Sequence, residues 1–152
     1  MQSMVAKDNS ILAPASESDK DFLWLHLRDL PYFRALVRSV EAEFFQEFDL
    51  PHPQLDIGCG DGHFASLVFE QAVDVGVDPW RGPIREAYQR QCYRLLVQAD
   101  AGALPFPDGH FGSAFSNSVL EHIPHVRQVL AETSRVLKPG APFVFSVPNP
   151  AY

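Results

Sequence analysis

The stretch Leu55-Asp56-Ile57-Gly58-Cys59-Gly60-Asp61-Gly62 decides how this 152-residue chain folds. A short apolar run, Gln54–Ile57, leads into three glycines placed at every second position. Such a run reads as a strand, and the glycines let the backbone turn tightly and come close to a ligand. The segment from His63 to Gln71 reads as a helix, with Phe64, Leu67 and Val68 on one face. The N-terminal N–H groups of that helix would point into the turn and favour an anion there. Taken alone, the turn is also what an ordinary tight strand–helix connection looks like.

Working outward, strands and helices alternate. Val73, Val75 and Val77 mark a second strand, Pro83–Gln91 a helix, Arg94–Gln98 a third strand and Gly112–Asn117 a fourth. A helix over Pro124–Leu137 is predicted from the shared face of Val126, Val129, Leu130, Thr133, Val136 and Leu137, and Lys138-Pro139-Gly140 stops it. Pro142–Val147 is a fifth strand. This alternation predicts an α/β fold with a mostly parallel sheet covered on both faces. Upstream, residues 1–20 lack periodicity and read as a flexible tail. Residues 21–50 read as a helical segment, with a helix from Pro31 to Phe48 on which Phe33, Leu36, Val37, Val40 and Phe44 share one face. That stripe is expected to pack on the sheet, or to fold over the ligand as a lid. Pro51-His52-Pro53 separates it from a domain running from 51 to 152.

Composition narrows the partners. Hydrophobic residues make up 46% of the chain, enough for a real core. The formal charge is −7, from 12 basic and 19 acidic residues, which disfavours a nucleic-acid backbone as partner. Two cysteines make no disulfide scaffold, and neither a signal peptide nor a membrane span is expected, so a cytoplasmic location is. No metal is expected either.

Acids stand at successive strand ends: Asp56, then Asp78 after the second strand, then Asp100 after the third. An acid at the second position can accept from two ribose hydroxyls, and one at the third from an adenine amine. Asp78 is also what a surface turn before Pro79 would carry, and Asp100 what a cap would carry. A dinucleotide turn needs a third glycine where His63 stands. Asp56 beside the turn would repel a pyrophosphate and attract an ammonium. The ligand should therefore combine an amine, a carboxylate and an adenosine, as S-adenosylmethionine does.

At these residues the chain resembles the class I S-adenosylmethionine-dependent methyltransferases of the type 11 small-molecule group. The resemblance rests on Leu55–Gly62, Val75-Gly76-Val77-Asp78 and Gln98-Ala99-Asp100-Ala101. Further along it rests on Leu104–Phe111 running into Ser116–His122, and on Glu132–Gly140. It implies a three-layer Rossmann-like sheet in which Asp56, Gly58, Cys59, Gly60 and Gly62 hold the methionine end. Asp78 would hold the ribose, Asp100 and Ala101 would read the adenine, Pro79 or Trp80 would pack on its face, and Asn117 would line the sulfonium. The family sheet has seven strands, so the chain is expected to be truncated after strand five. An exposed edge there would invite a homodimer. S-adenosylhomocysteine would be the product.

Methyl transfer from a sulfonium chiefly needs positioning. For an acceptor that must lose a proton, His122 is the candidate base and Glu121 its neighbour. Both also fit as helix-start residues. Tyr32 and Arg34 are open to a role at the site. Three functions compete: a methyltransferase for a small-molecule acceptor, a cofactor-binding module without turnover, and a nicotinamide-dependent oxidoreductase.

Overall fold

The computed structural model describes residues 20–149, so the expected tail over residues 1–20 lies outside the described residues except for Lys20. Two helices open the chain, α1 (Phe22–Leu27) and α2 (Tyr32–Gln46). Strand and helix then alternate as β1 (Gln54–Ile57), α3 (His63–Val68), β2 (Val73–Asp78), α4 (Arg81–Arg90) and β3 (Tyr93–Gln98). After β3 come β4 (Ser113–Asn117), a 3₁₀ turn at Leu120–His122, α5 (Val126–Val136) and β5 (Phe143–Ser146). The five strands form one sheet in the order β3-β2-β1-β4-β5. All four pairings are parallel, so the expected mostly parallel α/β sheet is fully so.

β1 lies at the centre, with Asp56 opposite Gly76 on one side and Phe115 on the other. One sheet face carries Leu55, Ile57, Val75, Val77 and Ala114 against Val129 and Val136 of α5. The other carries Val73, Phe115 and Val144 against Phe22, Ala42, Phe45, Ala65 and Val68 from α1, α2 and α3. The order reverses beside β1, where connections leave to opposite sides. Open α/β sheets hold ligands at the carboxyl end of such a point.

Element bounds shift for local reasons. α4 begins at Arg81, ahead of Pro83, because a proline in the first helical turn gives up an N–H that has no intrahelical partner. α5 starts only at Val126, since Pro124 holds Ile123 extended at φ −99, ψ 112. α3 stops at Val68 as Phe69 turns extended, and it buries His63, Ala65 and Val68, with Phe64 and Leu67 only half-buried. On α5, Val129, Thr133 and Val136 are buried while Leu130 is exposed.

The largest correction concerns α2. The stripe expected on the sheet faces out: Phe33 is 80% exposed, and Leu36, Val37, Val40 and Phe44 are exposed with it. The buried face is Ala35, Ser39, Ala42 and Phe45. Small side chains bring the helix close to the sheet, and a single phenylalanine fills the gap. Phe45 packs edge-on to Phe64 and Phe115 at 5.3 and 5.9 Å between ring centres. Among the described residues no helix is long and apolar enough to cross a membrane.

Candidate functional site

The turn after β1 is tied to β2. Gly58 and Cys59 both donate to the Val77 carbonyl, at 2.8 and 3.0 Å, and Gly60 N donates to Asp78 Oδ2 at 3.1 Å. Gly58 has φ +79, and a Cβ there would lie 2.5 Å from Val119 Cγ1. Both its conformation and its neighbour therefore demand glycine. Gly62, at φ +74, caps α3, where a Cβ would crowd Tyr93 and Ala87.

Asp56 is buried and accepts from the Tyr93 hydroxyl at 2.6 Å. Burial pushes its carboxyl up to about 7; the Tyr93 bond opposes this and the Asp78 charge adds to it. Burial holds the Tyr93 phenol well above its ordinary value, so it remains a donor. A carboxyl this desolvated is where a cation would be most welcome. Asp78 is buried as well and accepts from Trp80 N at 2.8 Å in addition to Gly60. Asp100 is exposed, accepts from Gly102 N at 2.7 Å and lies 3.2 Å from His125 Nε2; these partners hold it below the ordinary carboxylate range. Ala101 beside it is buried. The Cys59 thiol is pushed up by burial and stays neutral.

Two clefts open at the carboxyl edge. The first, about 290 Å³, is lined by Asp56, Gly58, Cys59, Gly60 and Asn117 together with Arg34 and Arg38 from α2. The second, about 420 Å³, is lined by Pro79, Trp80, Asp100, Ala101, Ile123 and His125. Gly58, Asp78 and Val119 belong to both. The acids named from sequence thus converge on one continuous site. Gly62 sits behind it as the cap of α3.

His122 is exposed, 3.8 Å from Glu121, and lines the second cleft. Glu121 lines neither of the two. Asn117 reaches the first cleft, but its amide is engaged elsewhere. Oriented to satisfy its neighbours, it donates to Ser146 Oγ at 2.6 Å and Glu41 Oε2 at 3.1 Å and accepts from Arg38 Nη1 at 2.9 Å. Glu41 also takes the Ser118 hydroxyl at 2.6 Å, the Ser146 hydroxyl at 3.0 Å and Arg38 Nη1 at 2.5 Å. This cluster fastens α2 over the ends of β4 and β5, and Ser118 holds φ +52 within it.

Sequence reading missed Tyr93, Arg38, Glu41 and the histidine pair behind the turn. His26 Nδ1 and His63 Nε2 are 3.1 Å apart and buried. Burial first, then repulsion from His63, lowers His26 to about 4, and His63 is lowered mainly by burial. His63 occupies the position where a dinucleotide turn would have glycine.

Three comparisons bear on this geometry. A sequence profile described as a methyltransferase domain matches residues 55–145. An uncharacterized methyltransferase of Mycolicibacterium gilvum is 37% identical over 95 residues, covering 60% of this chain and 37% of that protein. A fatty-acid O-methyltransferase of Mycolicibacterium smegmatis is 34% identical over 103 residues, covering 64% and 38%. The crystal structure of an S-adenosylmethionine-dependent methyltransferase from Mesorhizobium loti superposes with a TM-score of 0.57 at 27% identity, covering 68% of this chain and 51% of that one. The chain spans little more than a third of the length of these curated relatives.

Proposed function

The chain belongs to the methyltransferase domain family, of the class I S-adenosylmethionine-dependent kind, and from that premise we propose that its carboxyl-edge site binds S-adenosylmethionine and serves methyl transfer to a small-molecule acceptor. The observation that carries this reading is the convergence of Asp56, Asp78 and Asp100 on two clefts that meet at Gly58. The residues fit that cofactor. The raised carboxyl of Asp56 calls for a cation, which an ammonium would supply. Arg34 and Arg38 face it across the first cleft and suit a carboxylate. Asp78 keeps acceptor capacity for ribose hydroxyls, and Trp80, Pro79 and Ile123 offer apolar walls for a purine. Asp100 would accept its amine. In this reading Gly60 and Cys59 contribute backbone to the methionine end, and Asn117 acts by fixing Arg38.

The bound cofactor supplies a methyl group already activated on a sulfonium. This chain's residues then have three tasks: to hold the donor end against the glycine turn, to exclude water with α2, and to leave a line of approach past Val119. We assign in-line transfer to that approach. Each carboxylate and imidazole lining the first cleft already has a partner, Asp56 with Tyr93, Asp61 with Arg90, His63 with His26 and Asp78 with Gly60 N and Trp80 N, and His122 lies in the other cleft. An acceptor that is already an anion needs no base. A carboxylate on an apolar chain fits that requirement, and a fatty-acid O-methyltransferase stands among the relatives. We therefore propose an apolar carboxylic acid as acceptor. His122 would serve as base only for an acceptor entering over Trp80.

Calorimetric titration with S-adenosylmethionine, followed by methyl release on a series of fatty acids, tests the reading. Saturable binding with turnover is the expected result. Binding without turnover on any acceptor would favour a cofactor-holding module, and no binding would remove the assignment altogether.

A further inference from the structure

We propose that the outer face of α1 and α2 is a self-association surface that pairs with the same face of a second copy of this chain about a two-fold axis.

The first ground is area. Trp24, Tyr32, Phe33, Leu36, Val40 and Phe44 lead a set of exposed apolar side chains on two helices packed together, with Leu23 and Val37 beside them. Scaled by their exposures and ~200 Å² for a large apolar side chain, they offer on the order of 900 Å². A standard stable interface takes ~800 Å² from each partner. Monomers seldom present so much apolar surface on one face.

The second ground is pattern. Phe33, Val37, Val40 and Phe44 recur at spacings of four and three residues, so they form one narrow stripe. The stripe is symmetric about the point between Arg38 and Ser39: Phe33 and Phe44 are equally distant from it, and so are Val37 and Val40. A two-fold interface requires that if residue i meets residue j, then j meets i. Two antiparallel copies of α2 would set Phe33 on Phe44 at both ends and Val37 on Val40 in the middle.

The inner face leaves this stripe free to dock. Ala35, Ser39, Ala42 and Phe45 already seat α2 on the sheet, and Glu41 fastens it to Ser118 and Ser146. Among the described residues β5 ends the sheet on one side, and that edge is the weaker surface, being four residues long. Docking on the helix face would also hold Arg34 and Arg38 over the first cleft.

Sedimentation velocity on the full chain, from low to high micromolar concentration, tests this. The expected species has twice the 17.0 kDa of the chain. Val40→Glu places an unpaired charge in the seam and should weaken the dimer roughly 30-fold or more. Leu36→Lys, at a second exposed position, should do the same. Both variants should keep the wild-type circular dichroism, because neither side chain is in the core. Phe145→Glu at the β5 edge should remain dimeric. A wild-type chain monomeric at the highest concentration overturns the proposal. So does a dimer that survives both helix substitutions, or one that dissolves only with Phe145→Glu.

Discussion

Replacing Tyr93 by phenylalanine removes one hydroxyl and keeps the ring that fills the space beside Gly62 and Gly76. The lost bond is the 2.6 Å donation to Asp56. A hydrogen bond to a charged group contributes about 1.5–3 kcal/mol, and 1.36 kcal/mol corresponds to one pKa unit. Without it the Asp56 carboxyl should rise from about 7 by roughly one to two units. At pH 7 the wild-type group is about half ionised; the variant would be ~1–10% ionised. If the carboxylate binds the cofactor's ammonium, affinity at pH 7 should fall roughly 5- to 50-fold. The cofactor's own amine titrates near 8, so the effect is read on the acid side. Calorimetry from pH 5.5 to 7.5 should show wild-type affinity levelling off near pH 7, while the variant's still climbs about tenfold per unit. A loss that is the same at every pH would refute the reasoning, because it would mean that Tyr93 acts by packing alone. Unchanged affinity at pH 7 would refute the role given to Asp56.

Further outcomes follow from the same geometry. Asp78→Ala should cost about 1–3 kcal/mol of cofactor affinity by calorimetry, from lost ribose contacts, and lower the melting temperature because Gly60 N and Trp80 N lose their acceptor. Gly58→Ala should destabilise the fold by roughly 2–4 kcal/mol in urea unfolding, through a positive φ and the clash with Val119; adding Val119→Ala should restore only the clash component. His26 is held near 4 when folded against 6.5 when free, so between those values only the unfolded chain binds its proton. Stability should therefore be full well above pH 6.5 and decline by about 3 kcal/mol as pH falls to 4, and His26→Leu should flatten that slope in melting curves.

What could be read from residues alone follows from the range of the interaction. β1, the glycine turn and the acids at strand ends are local patterns, and β1 matches its expected bounds. The direction of α2 is not local. Periodicity shows that Phe33, Leu36, Val37, Val40 and Phe44 form a stripe, but it cannot show which side the core takes. Here the core took the side with two alanines and a serine, since close approach to the sheet and one buried phenylalanine filled the space better. Tyr93 and Glu41 were invisible for a related reason. Their partners lie 37 and 77 residues away, and nothing in the intervening sequence marks a tyrosine at the start of an edge strand as the donor to a central one. Asn117 lines the first cleft at the end of β4, yet its amide serves Arg38 and Glu41, a pairing set by how α2 crosses β4.

Gly58, Asp78 and Val119 form a saddle shared by both clefts, and this has a consequence for recognition. A molecule occupying one basin satisfies only its own half of the polar groups. Adenosine alone and methionine alone should each bind feebly, while one molecule long enough to straddle the saddle gains from both, because its second end arrives already tethered. Selectivity would then come from reach: the distance across the saddle acts as a ruler, rejecting ligands whose two ends are right but whose span is wrong.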